Sequence, residues 1–163
     1  MTNPEERGRK AATSGFAHEH ITAGILMKHY GNVSLVNLPL SPYDIVIVRK
    51  TEHGEEIIRV QVKTAKKSVP FTGGSRGGVD RKYQSGIKTY RQSTKTCDVV
   101  VGLHPYDDSF DLYIVPTILI EILGQSSISI SKIEKLKNNY EMLENCKNTD
   151  FVISNAKNFG IIQ

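Results

Sequence analysis

Two β-rich runs on either side of a short turn constrain the fold of this 163-residue chain more than any other feature. The runs are residues 44–48 (DIVIV) and 57–64 (IIRVQVKT), and the polar segment 52–55 between them contains Gly54. Branched apolar residues around a short glycine-containing turn are typical of a β-hairpin. The sequence therefore predicts two paired antiparallel strands in this part of the chain.

A helix is expected before the hairpin. Thr13 or Ser14 can cap its first turn and Gly31 can end it, so residues 1–12 are expected to form a flexible arm. One stripe of this helix combines apolar residues with a single carboxylate, and its members are Phe16, Glu19, Ala23, Leu26 and Tyr30. An unpaired carboxylate is costly to bury, so Glu19 in this position indicates a nearby metal or cation.

The chain after the hairpin favours further strands and helices. It divides into an irregular segment 65–81, a helix-compatible segment 83–94, a strand pair 98–103 and 110–115, and a short helix 117–123. A last amphipathic helix is predicted from the spacing of Ile133, Leu136, Tyr140 and Leu143. We therefore predict one α/β domain over residues 1–163, with a mixed central β-sheet flanked by helices.

Gln61 and Lys63 share one face of the second predicted strand because side chains two residues apart point the same way. The hairpin brings Asp44 to the same place. A carboxylate, an amide oxygen and an ammonium together suit Mg²⁺ and a phosphate, and the ammonium can stabilise developing negative charge. Alternatively, Asp44 caps a turn, and Gln61 and Lys63 form the solvated face of a half-buried strand.

The segment Ser41-Pro42-Tyr43-Asp44, followed by Val60-Gln61-Val62-Lys63-Thr64, resembles the core motif of the PD-(D/E)xK nuclease superfamily. Glu19 resembles the first-helix glutamate that many members use near the metal. The resemblance covers about residues 13–116. It implies a restriction-endonuclease-like fold, a Mg²⁺-dependent DNA endonuclease in which Mn²⁺ can substitute, and catalytic roles for Asp44, Gln61, Lys63 and Glu19.

Gln61 stands where most members of this superfamily have an acid. Active members with Gln-x-Lys exist, and the variant resembles intron-encoded homing endonucleases, while the spacing of Glu19 resembles that in archaeal Holliday-junction resolvases. An amide oxygen can ligate Mg²⁺ without adding negative charge, so weaker metal binding is expected. Restriction, homing and junction-resolving roles stay open, as does a catalytically lapsed nuclease that only binds DNA.

Positive charge is concentrated in residues 59–96, which contain 10 Lys and Arg residues against one acid, Asp80. Such a block is typical of a protein that neutralises phosphates, although a solvated loop is the alternative. Glycines within residues 72–78 lack the Lys-Ser/Thr ending of a P-loop and are interpreted as a loop that approaches the DNA backbone. The DNA contacts predicted here are Lys66, Lys67, Arg76, Arg81 and Lys82.

The histidines and cysteines show no spacing typical of a metal site. The five histidines are expected to be exposed, and Cys97 and Cys146 to be reduced and structural. The sequence shows neither a signal-peptide pattern nor an apolar run long enough to cross a membrane, so a cytoplasmic protein is expected. Cutting both strands of double-stranded or branched DNA requires two sites, which predicts a homodimer or a larger assembly. The predicted helix around residues 133–143 can pack either on a partner or on its own sheet.

Overall fold

The computed structural model of the chain describes residues 3–38, 40–73 and 89–163. Its helices are α1 (Pro4–Tyr30), α2 (Thr117–Leu123), α3 (Tyr140–Glu144) and α4 (Thr149–Asn158). Its strands are β1 (Val33–Leu35), β2 (Ile45–Thr51), β3 (Gly54–Thr64), β4 (Ser68–Pro70), β5 (Thr72–Gly73), β6 (Tyr90–Arg91), β7 (Val99–Tyr106), β8 (Ser109–Pro116) and β9 (Ser127–Ser129).

The first helix begins earlier than its predicted cap at Thr13. The Asn3 side chain accepts a hydrogen bond from the backbone N–H of Glu5, and Pro4 occupies the first helical turn, where its missing N–H needs no partner. Gly31, with a φ of +78°, ends the helix as predicted. Residues 4–12 are therefore helical, and the expectation of a flexible arm there is wrong.

The predicted hairpin is confirmed. β2 and β3 pair antiparallel, with Ile45 opposite Val60 and Thr51 opposite Gly54. Residues that alternate along both strands are fully buried, Ile45 and Ile47 in β2 and Ile58 and Val60 in β3. This period of two leaves the residues between them on the opposite face of the sheet.

A five-stranded sheet in the order β1-β2-β3-β7-β8 forms the centre of the described structure. The β3–β7 pair is parallel and the other pairs are antiparallel, so the sheet is mixed. Helix α1 packs against β1, β2 and β3, while α2 and α3 pack against β8. The predicted α/β architecture, a mixed central sheet flanked by helices, is confirmed.

Gly102 in β7 allows the chain segment after β3 to pass close to the sheet. A Cβ atom on Gly102 would lie 2.7 Å from a methyl carbon of Val69 and 3.1 Å from the Cβ of Ala65. The segment that leaves β3 therefore crosses directly over β7 at this glycine, which leaves no room for a side chain.

The last predicted helix, around residues 133–143, is not continuous in the structure. Residues 130–132 and 134–136 form two 3₁₀ turns, and only Tyr140–Glu144 is α-helical in that stretch. Asn138 interrupts it with a φ of +51°, and its backbone N–H and side-chain oxygen both pair with the backbone of Leu112 in β8. Hydrogen bonds to a sheet edge thus replace those of a helix. Ile133 and Leu136 are fully buried in the chain's own core, so they are not available to a partner.

The loop predictions are partly corrected. The described part of residues 65–81 contains the short strands β4 and β5, and residues 89–94 contain strand β6 instead of a helix. Residues 83–88 lie outside the described ranges. The second strand pair and the helix at residues 117–123 are confirmed. Within the described residues there is no helix with the length and apolar character needed to cross a membrane.

Candidate active site

The start of β2 and the end of β3 bring Asp44 and Gln61 together. Because Ile45 pairs with Val60, the next position along the register places Asp44 opposite Gln61. The Gln61 side-chain nitrogen donates to Asp44 Oδ2 at 2.6 Å, and the backbone N–H of Val62 donates to the same oxygen at 2.8 Å. The hairpin register and these two hydrogen bonds therefore hold the Asp44 carboxylate against β3, the strand that carries Gln61 and Lys63.

Burial gives the Asp44 carboxyl an unusual charge balance. Its desolvation raises the pKa of Asp44 above the usual value, and the Val62 N–H, the Lys63 ammonium and the Gln61 amide lower it only in part. The net direction is upward, so this carboxylate is short of compensating positive charge. A cation next to Asp44 would remove that deficit.

Glu19 reaches the same site from α1. It is partly buried, and its pKa is raised by desolvation and then by the negative charge of Asp44, while His20 and Lys63 lower it. Mutual influence of this kind requires Glu19, Asp44 and Lys63 to lie within electrostatic reach of one another. Glu19 and Lys63 therefore lie within electrostatic reach of Asp44, to which Gln61 is hydrogen-bonded.

Gln92 is a member of the site that the sequence interpretation missed. Its side chain is fully buried, and its Nε2 lies 3.3 Å from the Gln61 side-chain oxygen and 3.5 Å from the Pro42 carbonyl oxygen. Gln92 follows β6 and is anchored by a 2.7 Å hydrogen bond from its N–H to the Phe71 carbonyl. A glutamine in a polar segment without periodicity carries no signal of this position.

The histidines differ from the expectation of general exposure. His18 is partly buried, and its Nδ1 lies 2.7 Å from the hydroxyl of Thr64 at the end of β3. His104 is also partly buried, lies in β7 and not in a turn, and hydrogen-bonds the Ala65 carbonyl oxygen at 2.8 Å. His20, His29 and His53 are exposed as predicted. His18 therefore borders the candidate site on the α1 side.

Only part of the predicted DNA-binding set can be located. Lys66 and Lys67 are exposed and follow directly after β3, close in sequence to Lys63. Arg76, Arg81 and Lys82 lie outside the described residues. The basic block also contains Arg59, whose guanidinium instead pairs with Asp98 at 2.8 Å.

The donor set suits a hard cation. No group of three or more His, Cys, Asp and Glu side chains that could hold a metal occurs within residues 3–38, 40–73 and 89–163. Mg²⁺, however, commonly binds through one or two carboxylates and keeps several waters. Asp44, the Gln61 amide at 2.6 Å from it, and Glu19 within electrostatic reach provide two carboxylates and an amide oxygen, a donor set that fits Mg²⁺ or Mn²⁺.

Comparison with known proteins supports the fold. Neither a family model nor a curated protein matches the chain. A solved structure of a bacterial homing endonuclease, I-Ssp6803I, is similar, with a TM-score of 0.50 and 19% identity over 71% of this chain and 74% of that one. At this identity the likeness shows a shared fold. Membership of the PD-(D/E)xK superfamily stays a prediction.

Proposed function

We propose that this protein is a metal-dependent DNA endonuclease that hydrolyses phosphodiester bonds. The observation that supports this most strongly is the Asp44 carboxylate held at the open end of the hairpin by the Gln61 amide at 2.6 Å and the Val62 N–H at 2.8 Å, with Glu19 and Lys63 within electrostatic reach. Two carboxylates with raised pKa values beside an ammonium match the needs of a cation and a phosphate.

The roles proposed for the residues follow from their chemistry. Asp44 and Glu19 hold the cation, and Gln61 is the neutral oxygen ligand beside them. A bound Mg²⁺ would supply a water of lowered pKa and would offset charge on the scissile phosphate. Lys63 holds the attacking water or stabilises the negative charge that develops on the phosphate.

The DNA is proposed to lie across the same end of the sheet. Lys66 and Lys67 are exposed in the turn between β3 and β4, and they are proposed to contact phosphates near the cut. Arg76, Arg81 and Lys82 are proposed to add further contacts. Because cutting a duplex requires two such sites, the active species is proposed to be a homodimer or a larger homo-oligomer.

Among the possible roles, a site-specific enzyme of the homing or restriction type is favoured. The similar fold of a bacterial homing endonuclease supports the homing type, as does Gln61 in the position of an acid. A junction resolvase would prefer a four-way junction over linear duplexes of any sequence. Site-specific cleavage would depend on the sequence of the duplex instead.

The deciding experiment measures cleavage of plasmid and four-way-junction DNA in Mg²⁺, Mn²⁺ and EDTA. We expect cleavage with either metal, abolition by EDTA, and a decrease of orders of magnitude in Lys63→Ala. The exposed Lys157, in the last turn of α4, gives a matched control in Lys157→Ala, which should cut normally. Cleavage that persists in excess EDTA would refute the proposal. DNA binding without cutting under any metal would identify a lapsed nuclease.

A further inference from the structure

The amide of Gln92 is held at both ends. Its Oε1 accepts from the hydroxyl of Thr96 at 2.5 Å and from the thiol of Cys97 at 3.5 Å. Its Nε2 faces two acceptors, the Pro42 carbonyl oxygen at 3.5 Å and Gln61 Oε1 at 3.3 Å. The two acceptors at the nitrogen end favour this direction of the amide, and the Thr96 hydroxyl, which also lies 3.0 Å from the Ser93 carbonyl oxygen, completes it at the oxygen end.

Close packing also confines this amide. A Cβ atom on Gly73 would lie 2.9 Å from Gln92 Nε2 and 2.8 Å from the ring and hydroxyl of Tyr90. The side chain of Gln92 is fully buried, so water cannot replace its partners. A buried amide with satisfied hydrogen bonds at both ends resists reversal, because reversal breaks several of them at once.

The Gln61 amide points in a direction that matches that of Gln92. Its nitrogen donates to Asp44 Oδ2 at 2.6 Å and to the Val62 carbonyl oxygen at 3.3 Å, and its Oε1 accepts from Gln92 Nε2 at 3.3 Å. An N–H next to Asp44 partly offsets its negative charge, but a cation there requires an oxygen ligand. In this arrangement Gln61 is a hydrogen-bond donor to the carboxylate of the site.

We propose that Gln92 is a positioning residue that stabilises the direction in which Gln61 points its nitrogen at Asp44, and so limits when Gln61 can offer its oxygen to a cation there. This inference rests on the proposed function, because it takes Asp44 as the cation site. If Gln61 turned alone, its nitrogen would face the nitrogen of Gln92. If both amides turned, the Gln92 oxygen would face the Pro42 carbonyl oxygen, and Gln92 would lose the hydrogen bond that the Cys97 thiol donates.

The test measures Mn²⁺ binding to the free protein without DNA, from the loss of the free-ion electron paramagnetic resonance signal. Gln92→Leu removes the partner that favours the present direction, so binding should tighten by about fivefold, the worth of one net hydrogen bond. In a Gln61→Met background, where position 61 has no amide to orient, the same change should have no effect. This pair separates orientation from simple packing.

A gentler variant protects the test against misfolding. Thr96→Val removes one donor to the Gln92 oxygen, so it should tighten Mn²⁺ binding in the same direction, but by less. In the Thr96→Val protein, the side-chain amide resonance of Gln61 in ¹H–¹⁵N spectra should also shift when Mg²⁺ is added. The side-chain amide resonance of Gln92 should shift with it.

The outcomes distinguish this inference from the proposed function. Equal effects of Gln92→Leu in the wild-type and Gln61→Met backgrounds, weaker binding in Gln92→Leu, or unchanged binding in Thr96→Val would each overturn the role of Gln92. By contrast, Mn²⁺ binding that survives Asp44→Asn would remove the cation site itself, and with it the proposed function. Tighter binding that depends on Gln61 would establish the inference.

Discussion

Two carboxylates, Asp98 and Asp44, lie on either side of strand β3, and the residues of this strand that hydrogen-bond them differ in charge. Asp98, which is 8% exposed, accepts two hydrogen bonds from the Arg59 guanidinium, at 2.8 and 3.1 Å, and a third from the Arg59 backbone N–H. Asp44 instead meets the neutral amide of Gln61, two residues further along the same face. The first carboxylate has its own counterion, whereas the second is held by neutral donors next to it.

This difference separates a structural ion pair from a site. The hydrogen bond and charge of Asp98 raise the pKa of Arg59, so that pair is mutually stabilised despite some desolvation. At Asp44, burial raises the pKa of the carboxyl in spite of nearby Lys63. The neutral Gln61 amide at Asp44 thus stands where Asp98 has the Arg59 guanidinium. Comparing Asp44 with Asp98 therefore tests the whole interpretation.

The largest expected effect is on cleavage. Asp44→Asn should lower the rate by about a hundredfold or more, because it removes a cation ligand and the charge that attracts the cation. Asp98→Asn, an identical chemical change at the other carboxylate, should leave the rate per folded molecule unchanged. Rates are measured on plasmid DNA at saturating Mg²⁺, with circular dichroism to confirm folding. Equal losses in the two variants would abolish the distinction.

Stability should show the reverse order. Asp98→Ala leaves the Arg59 guanidinium and backbone N–H without their acceptor, so the free energy of unfolding should fall by about 3 kcal/mol. The guanidinium keeps some exposure and a hydrogen bond to the Thr94 carbonyl, which limits the loss. Urea unfolding followed by circular dichroism measures it. A loss below that of Asp44→Asn would contradict the assignment of Asp98 as structural.

The proximity of the candidate residues could be predicted to the extent that it depends on local geometry. Alternation in β3 and the hairpin register are local rules, and they place Asp44, Gln61 and Lys63 together. Glu19 was found because a carboxylate stands out on an apolar stripe. Gln92 was not found because its position depends on Phe71 and Pro42, which belong to distant segments. Tertiary contacts of that kind leave no period in the sequence.

Two errors in the helices have different origins. The start of α1 was misjudged although Asn3, Pro4 and Glu5 provide a cap, a first-turn proline and an acidic first turn. That signal was present in the sequence, although the cap was predicted at Thr13 or Ser14. The break at Asn138 had no comparable signal, since it follows from hydrogen bonds to Leu112 in β8. Helical spacing indicates a buried face, but not the continuity of a helix.

A moderate effect is expected on the salt dependence of DNA binding. If Lys66 and Lys67 each contact one phosphate, each change to alanine should flatten the slope of log affinity against log salt by about 0.9. Arg59→Lys should leave the slope unchanged because its charge already serves Asp98, and Lys157→Ala gives a second control away from β3. Binding is measured by fluorescence anisotropy without divalent metal. A slope that stays constant in the double lysine variant would place the DNA elsewhere.

The smallest effect concerns the stability cost of the site carboxylate on α1. The folded protein holds the pKa of Glu19 above its usual value of 4.5, first by burial and then by repulsion from Asp44. Between the usual and the raised pKa the folded state binds more protons than the unfolded state, so stability falls as the pH rises through that window. Above it, the ionised side chain destabilises the fold by a constant amount.

Glu19→Gln removes this penalty and should raise the Tm at pH 7 by on the order of 2 °C, with the difference vanishing below about pH 4. Glu6, exposed in the first turn of the same helix, provides the control: its charge is favourable at a helix N-terminus, so Glu6→Gln should not raise the Tm at all. Calorimetry of both variants from pH 4 to pH 7, in EDTA, decides between them. A Tm for Glu19→Gln equal to or below that of the wild type at pH 7 would show that Glu19 is already compensated, as Asp98 is, and that only Asp44 is held in need of a cation.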